Sequence, residues 1–170
     1  IEQIGSYAFY GCSSLESLAI PEKVEVISAY CFYDCTNLKQ VELSNGLVEI
    51  SGSAFQNCSS LESIIVPDSV TKIGNHAFTD CVLLKELTLS DSLIVIESHT
   101  FDGCSSLESV VIPESVTTIE DYAFKNCSSL KELDLSSFVP LSLLEMPSMF
   151  LSCTALGGGY FIYDLATPEI

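Results

Sequence analysis

The stretch AFYGCSSLESLAIP, residues 8–21, decides the reading of this chain. Its cysteine sits between a glycine and two serines, a setting that looks like a turn. The same setting returns as CFYDCTNLKQVELS from Cys31, AFQNCSSLESIIVP from Ala54, AFTDCVLLKELTLS from Ala77, TFDGCSSLESVVIP from Thr100 and AFKNCSSLKELDLS from Ala123. Cys12, Cys35, Cys58, Cys81, Cys104 and Cys127 therefore stand 23 residues apart. A fixed period between about 20 and 29 residues with recurring leucines marks a solenoid, in which each unit buries its apolar face against the next.

Within a unit, Leu15, Leu18 and Ile20 point inward. From Leu18 onward the alternation is that of a strand, and β-branched residues gather there (Ile64, Val66, Val110, Ile112). Pro21, Pro67 and Pro113 end the strand, because proline cannot donate to a ladder. An extended piece follows, burying Val24 with Ile27 and Val70 with Ile73. The Ala–Phe pair then reads as one short helical turn, with Ala8 allowing close approach and Phe9 filling the interior. That turn closes at Gly11, Asp34, Asn57, Asp80, Gly103 and Asn126. Only Gly, Asn and Asp appear there, the residues that tolerate the left-handed conformation. The expected fold is an α/β repeat solenoid with one parallel β-strand and a short helical turn per 23-residue repeat.

This setting assigns the cysteines to packing. Each follows the left-handed corner where the chain turns inward, so Cys12 to Cys127 are expected to form a buried column of thiols, each offered to a nearby carbonyl. Disulfide frameworks join irregularly spaced cysteines in small loop-rich domains, and the regular spacing argues against one. Parallel side chains on rungs about 4.8 Å apart also suit disulfide geometry poorly. No CxxC occurs among the eight cysteines, so zinc-finger ligation and thioredoxin-like chemistry lack support. Cys31, at the Ala position, is an outlier of similarly small size.

The chain has 170 residues, 48% of them hydrophobic, enough for one substantial core. No stretch reaches the ~18 apolar residues that cross a bilayer; FVPLSLLEMPSMFL comes nearest and is broken by Pro140, Glu145 and Pro147. The chain opens at Ile1 inside a repeat, with no initiator methionine or signal peptide, and is expected to be a fragment or processed product. With 23 acids against 6 bases, its formal charge is −17. Such a field repels phosphate backbones and anionic lipid heads and favours cationic partners.

The pattern I-x₃-A-F-x₂-C-x₂-L-x₂-V-x-I-P-x₂-V resembles the BspA-type leucine-rich repeats, over six copies in residues 1–139. The resemblance implies a right-handed parallel solenoid, found in cell-surface proteins that bind host proteins, matrix proteins or other cells. It brings no catalytic residues with it. Residues 140–170 depart from the pattern. Phe150, Cys153 and Leu156 keep its spacing, but Cys153 comes 26 residues after Cys127. This segment reads as a longer, irregular terminal repeat or C-terminal cap, with a last strand-like piece at Tyr160 to Tyr163.

A 46-residue period lies over the first: units with Glu16, Glu62 and Glu108 alternate with units carrying Lys39, Lys85 and Lys131. Stacked in register, each lysine would lie between two glutamates, an arrangement that resists a one-repeat slip. On the strand face the outward positions are Ser17, Ala19, Gln40, Glu42, Ser63, Ile65, Glu86, Thr88, Ser109, Val111, Glu132 and Asp134. These twelve are the candidate partner-binding residues, since solenoids present their extended sheets to partners. Ile65 and Val111 equally satisfy plain strand propensity. Glu22, Asn45, Asp68, Asp91 and Glu114 stack past the strand end as a solvated acidic edge or a weak calcium site. His76 and His99 share another column without a matching third metal ligand. Two N-C-S sequons, at Asn57 and Asn126, arise from the repeat itself.

These readings converge on a non-enzymatic protein-binding or adhesion module of a cell-surface or secreted protein, using its strand face. The alternative is a structural spacer or assembly scaffold without a dedicated ligand. No nucleophile–base set or phosphate loop appears, and no cofactor or metal is expected. The expected partner is a protein with a basic surface, not nucleic acid, without direct membrane insertion, and the chain is expected as a monomer or part of a longer chain.

Overall fold

The structure, a computed structural model, describes residues 2–134 and 146–156. It is a stack of rungs, each with two short strands on different sides. One set forms the strand face: β2 (Ser17–Ala19), β4 (Gln40–Glu42), β6 (Ser63–Ile65), β8 (Glu86–Thr88), β10 (Ser109–Val111) and β12 (Glu132–Asp134). The other set is β1 (Glu2–Ile4), β3 (Val24–Ile27), β5 (Glu49–Ile50), β7 (Lys72–Ile73), β9 (Val95–Ile96) and β11 (Thr118–Ile119). All pairings are parallel with partners 23 residues apart in the regular register, as Ser17 opposite Gln40 and Ile50 opposite Ile73 show. The expected single strand per repeat is therefore corrected to two. The piece read as merely extended forms its own ladder, β1-β3-β5-β7 with β9-β11 beyond.

The strand face keeps the 46-residue rhythm of the sequence. β2 pairs β4, β6 pairs β8 and β10 pairs β12, whereas β4 and β6, like β8 and β10, lie side by side without completing a ladder.

The expected helical turn at each Ala–Phe pair is also corrected. Among the described residues the helices are α1 (Met146–Met149) and one 3₁₀ turn, Thr154–Leu156. An α-helix sends every N–H back along its own segment. Here alternate N–H groups leave the rung. Ala8, Tyr10 and Cys12 donate to residues three back, while Phe9 donates to Cys31 O at 2.8 Å and Gly11 to Tyr33 O at 2.7 Å. Two left-handed residues per turn enforce this zigzag. One is the expected Gly/Asn/Asp corner; the other is Tyr7, Tyr30, Ser53, His76, His99 and Tyr122, with φ between 57° and 63°.

The core consists of columns. Phe9, Phe32, Phe55, Phe78, Phe101, Phe124 and Phe150 stack face to face at 5.0–5.7 Å. Phe32 through Phe124 are completely buried, and losing such a ring costs about 3–5 kcal/mol. Beside them runs the thiol column: Cys35, Cys58, Cys81, Cys104 and Cys127 each donate to the carbonyl of the phenylalanine 26 residues earlier, at 3.1–3.4 Å. The thiol-to-carbonyl pairing is thus as read from the sequence. Cys31 is equally buried.

The first rung departs from the expectation. Cys12 is exposed and Phe9 is 38% exposed, because no described rung covers that end. At the other end, Cys153 donates to Phe124 O at 2.9 Å and Phe150 extends the ring column, so the F-x₂-C spacing reproduces a rung edge there. The strand-like segment Tyr160 to Tyr163, Pro140 and most of the 140–170 segment lie outside the described residues.

Candidate binding surface

On the strand face, pleating turns every second side chain to solvent. Leu18, Val41, Ile64, Leu87, Val110 and Leu133 point inward, and the flanking positions form two outward columns. One runs Ser17–Gln40, Ser63–Glu86 and Ser109–Glu132; the other runs Ala19–Glu42, Ile65–Thr88 and Val111–Asp134. All the outward side chains but two are exposed: Ser63 is half-buried, and the Asp134 side chain lies outside the described residues. Ile65 is 69% exposed and Val111 67%, the highest values among the described large hydrophobic residues. An open depression of about 580 Å³ lies beside Ile65, walled by Gln40, Glu42, Asp68 and Thr88.

The charge column forms in part. Lys39 Nζ reaches Glu16 at 3.1 Å and Lys131 reaches Glu108 at 3.0 Å, while Lys85 makes no ion pair among the described residues. Each paired lysine reaches back to one glutamate rather than bridging two. Both pairs are more than half exposed, so solvent screens them and neither adds much to stability. A pair the sequence reading missed, Lys72 with Glu49 at 3.3 Å, repeats this geometry on the second sheet.

The remaining candidate groups are accounted for within the rungs. Burial pushes the Cys35 thiol up to about 11 and Cys31 to about 12, and Cys58, Cys81 and Cys104 are held higher still by the same cause. Such thiols are inert as nucleophiles. His76 and His99 stack at 4.6 Å, with His76 Nδ1 against Thr79 Oγ1, which itself donates to His99 O. Glu22, Asn45, Asp68, Asp91 and Glu114 form an exposed edge in which Asp68 accepts the N–H of Asp91. Among the described residues no three His, Cys, Asp or Glu side chains converge as a metal site. Both sequon amides are engaged: Asn57 donates to Asp34 and Asn126 to Asp102, so each serves its own corner.

A parallel solenoid with a Phe column, a Cys column and two-sided short strands defines a leucine-rich repeat protein. This chain belongs to the BspA type leucine rich repeat region family, which matches in six copies over residues 2–131. A T. pallidum leucine-rich repeat protein is similar at 36% identity and TM-score 0.78, over 83% of this chain and 64% of that one. One from Eubacterium ventriosum matches at 26% identity and TM-score 0.76, over 85% of this chain and 38% of that one. The pneumococcal vaccine antigen PcpA matches at 31% identity and TM-score 0.68, over 78% of this chain and 35% of that one. The chain thus spans less than two thirds of the length of these relatives. No curated protein matches it. These comparisons indicate no catalytic family.

Proposed function

We propose that this chain is a non-enzymatic protein-binding or adhesion module of a cell-surface or secreted protein, and that its partner docks on the strand face. The observation that carries the reading is the exposure of Ile65 and Val111 at 69% and 67%, two β-branched side chains separated by Thr88 in one outward column. Desolvating a few central apolar groups supplies most interface energy, while surrounding charges steer encounter. Glu42 and Glu86 supply that rim, and the net charge of −17 selects a basic partner surface. The similarity to a pneumococcal vaccine antigen supports a surface location.

The test replaces Ile65→Asp and Val111→Asp together and measures adhesion to immobilised matrix proteins and cultured cells. Both side chains are exposed, so the fold survives. Adhesion is expected to disappear, while Lys72→Asp with Thr118→Asp, both exposed on the second sheet, leaves it intact. Adhesion lost only in the second-sheet variant would place the site on the wrong surface. Adhesion by none of the proteins, wild type included, returns the chain to the role of a spacer.

A further inference from the structure

The turn side of the solenoid carries an aromatic cluster that the strand-face reading does not use. Tyr7 and Tyr30 stack with centroids 5.1 Å apart at 3°, and Tyr10 and Tyr33 stack at 5.0 Å and 2°. Within each rung the rings are tilted: Tyr7–Tyr10 at 5.7 Å and 46°, Tyr30–Tyr33 at 5.8 Å and 50°. The two stacks therefore join into a lattice of four rings. In the second rung Tyr30 is 37% exposed and Tyr33 half-buried; Tyr7 and Tyr10 are more exposed, at 57% and 49%, in the first rung, whose outer end no described rung covers. Among the described residues none of the four phenol hydroxyls has a hydrogen-bond partner.

The fold does not require tyrosine at these positions. Tyr7 and Tyr30 have φ of 61° and 58°, a conformation in which a bulky side chain is strained, and Ser53 fills the same position in the next rung at 57°. Gln56 and Thr79 occupy the column of Tyr10 and Tyr33. The rung imposes the left-handed conformation whatever the residue, since Ser53, His76, His99 and Tyr122 share it, so it is the choice of exposed stacked rings, and not the conformation, that points to a use outside the fold.

Electrostatics selects the occupant. Burial, and then the charge of adjoining Asp34, raise the pKa of the Tyr33 phenol, and the Asp34 carboxylate, which accepts from Asn57, places negative charge beside the rings. Among the described residues the nearest lysine in sequence, Lys23, lies over none of the four rings, and the next two are committed elsewhere, Lys39 to Glu16 on the strand face and Lys72 to Glu49 on the second sheet. Further along the same turn side, Lys125 Nζ lies 5.5 Å from the centroid of the Tyr122 ring. There the chain itself supplies a cation to a ring of this column; among the described residues none lies over the four-ring lattice.

We propose that the Tyr7–Tyr10–Tyr30–Tyr33 lattice is a second docking surface, independent of the strand face, whose occupant is an arginine-bearing polypeptide segment. A guanidinium stacks on aromatic rings and donates in a planar fork to phenol and carboxylate oxygens, which a lysine ammonium does less well. Tyrosine offers that contact as a large, rigid area with little conformational entropy to lose.

The probe is a synthetic peptide alternating arginine and glycine, titrated calorimetrically into the whole chain, with a lysine–glycine peptide of equal length beside it. The variant combines Tyr7→Ser and Tyr30→Ser with Tyr10→Gln and Tyr33→Gln, substitutions the solenoid already accepts at Ser53 and Gln56. The wild type is expected to bind the arginine peptide more tightly than the lysine one, and the variant to lose about tenfold or more in affinity for it. Ile65→Asp with Val111→Asp leaves this binding unchanged, so failure here and failure of the strand-face reading are told apart. Equal affinity in the wild type and the tyrosine variant overturns the proposal, because the attraction is then general to the acidic surface. No binding by the wild type, or tighter binding of the lysine peptide, overturns it as well.

Discussion

Replacing Cys81 with serine tests the central claim about the repeat, that its cysteine is a packing residue. The Cys81 thiol is fully buried and donates to Phe55 O at 3.4 Å, between the equivalent thiols of Cys58 and Cys104. A hydroxyl oxygen lies closer to its Cβ than sulfur does, so it would stand farther from that carbonyl and leave a shortfall of contact around it. A buried hydroxyl without a good partner costs about 1–3 kcal/mol. The mean of that range corresponds to a fall in melting temperature of roughly 4–8 °C in a domain of this size. Cys81→Ala leaves a small cavity without an orphaned hydroxyl, and is expected to cost about 1 kcal/mol. The ordering wild type, then alanine, then serine distinguishes this account from a purely volumetric one, in which serine would be the milder change. Thermal unfolding followed by far-UV circular dichroism reads the ordering. A native thiol titration completes the assay: Cys12 is expected to react at once, Cys153 more slowly, and the six buried thiols only after denaturation. Serine at least as stable as wild type, or Cys81 reacting as fast as Cys12, would refute the reasoning.

Two further predictions follow from the turn geometry. Gly103→Ala places a Cβ at φ +78° and within 2.3 Å of Asp80 Oδ1; it is expected to destabilise by about 1–2 kcal/mol, and adding Asp80→Ala should recover part of that loss in a double-mutant cycle. Burial, and then the stacked His99, lower the pKa of His76 in the folded chain. The unfolded state therefore takes up a proton at His76 before the folded state does, and stability declines as the pH falls below about 6.5. His76→Ser, a residue the column already accepts at Ser53, should flatten that part of the melting-temperature profile; an unchanged slope would show that His76 is not its source.

The solenoid was legible because each buried column repeats one residue type at one spacing. Ala, Phe, Cys and Leu recur at 23 residues since each occupies the same van der Waals niche in every rung. The turn was misread for a physical reason. An Ala–Phe pair ending in Gly, Asn or Asp has the composition of a helix terminus, but here the N–H groups of Phe9 and Gly11 bond to the next rung. The second left-handed position could not be seen at all, because Tyr7, Ser53 and His76 share no conformational preference that would betray a positive φ. The exposure of Cys12 was missed because a column argument treats every rung as an interior one.

The same logic separates fold from function. In columns such as Phe32 to Phe124 the rung geometry dictates the residue, so identity there carries information about packing and nothing about a partner. In outward columns the fold accepts serine, glutamate, threonine or glutamine with equal ease, as Ser63, Glu86, Thr88 and Gln56 show. A departure in those columns is therefore unconstrained by packing. Ile65 and Val111 depart toward apolar groups in solvent, and Tyr7, Tyr10, Tyr30 and Tyr33 depart toward aromatic rings, two of them against backbone preference. Strand alternation alone exposed the first set to sequence reading. The second was not singled out from the sequence, although residues three apart are neighbours on a helical turn as well as on the zigzag observed here. Under the two proposals, surfaces on two sides of one stack would engage two segments of one partner with the second contact made intramolecular by the first, so losing either surface costs more than its own contacts.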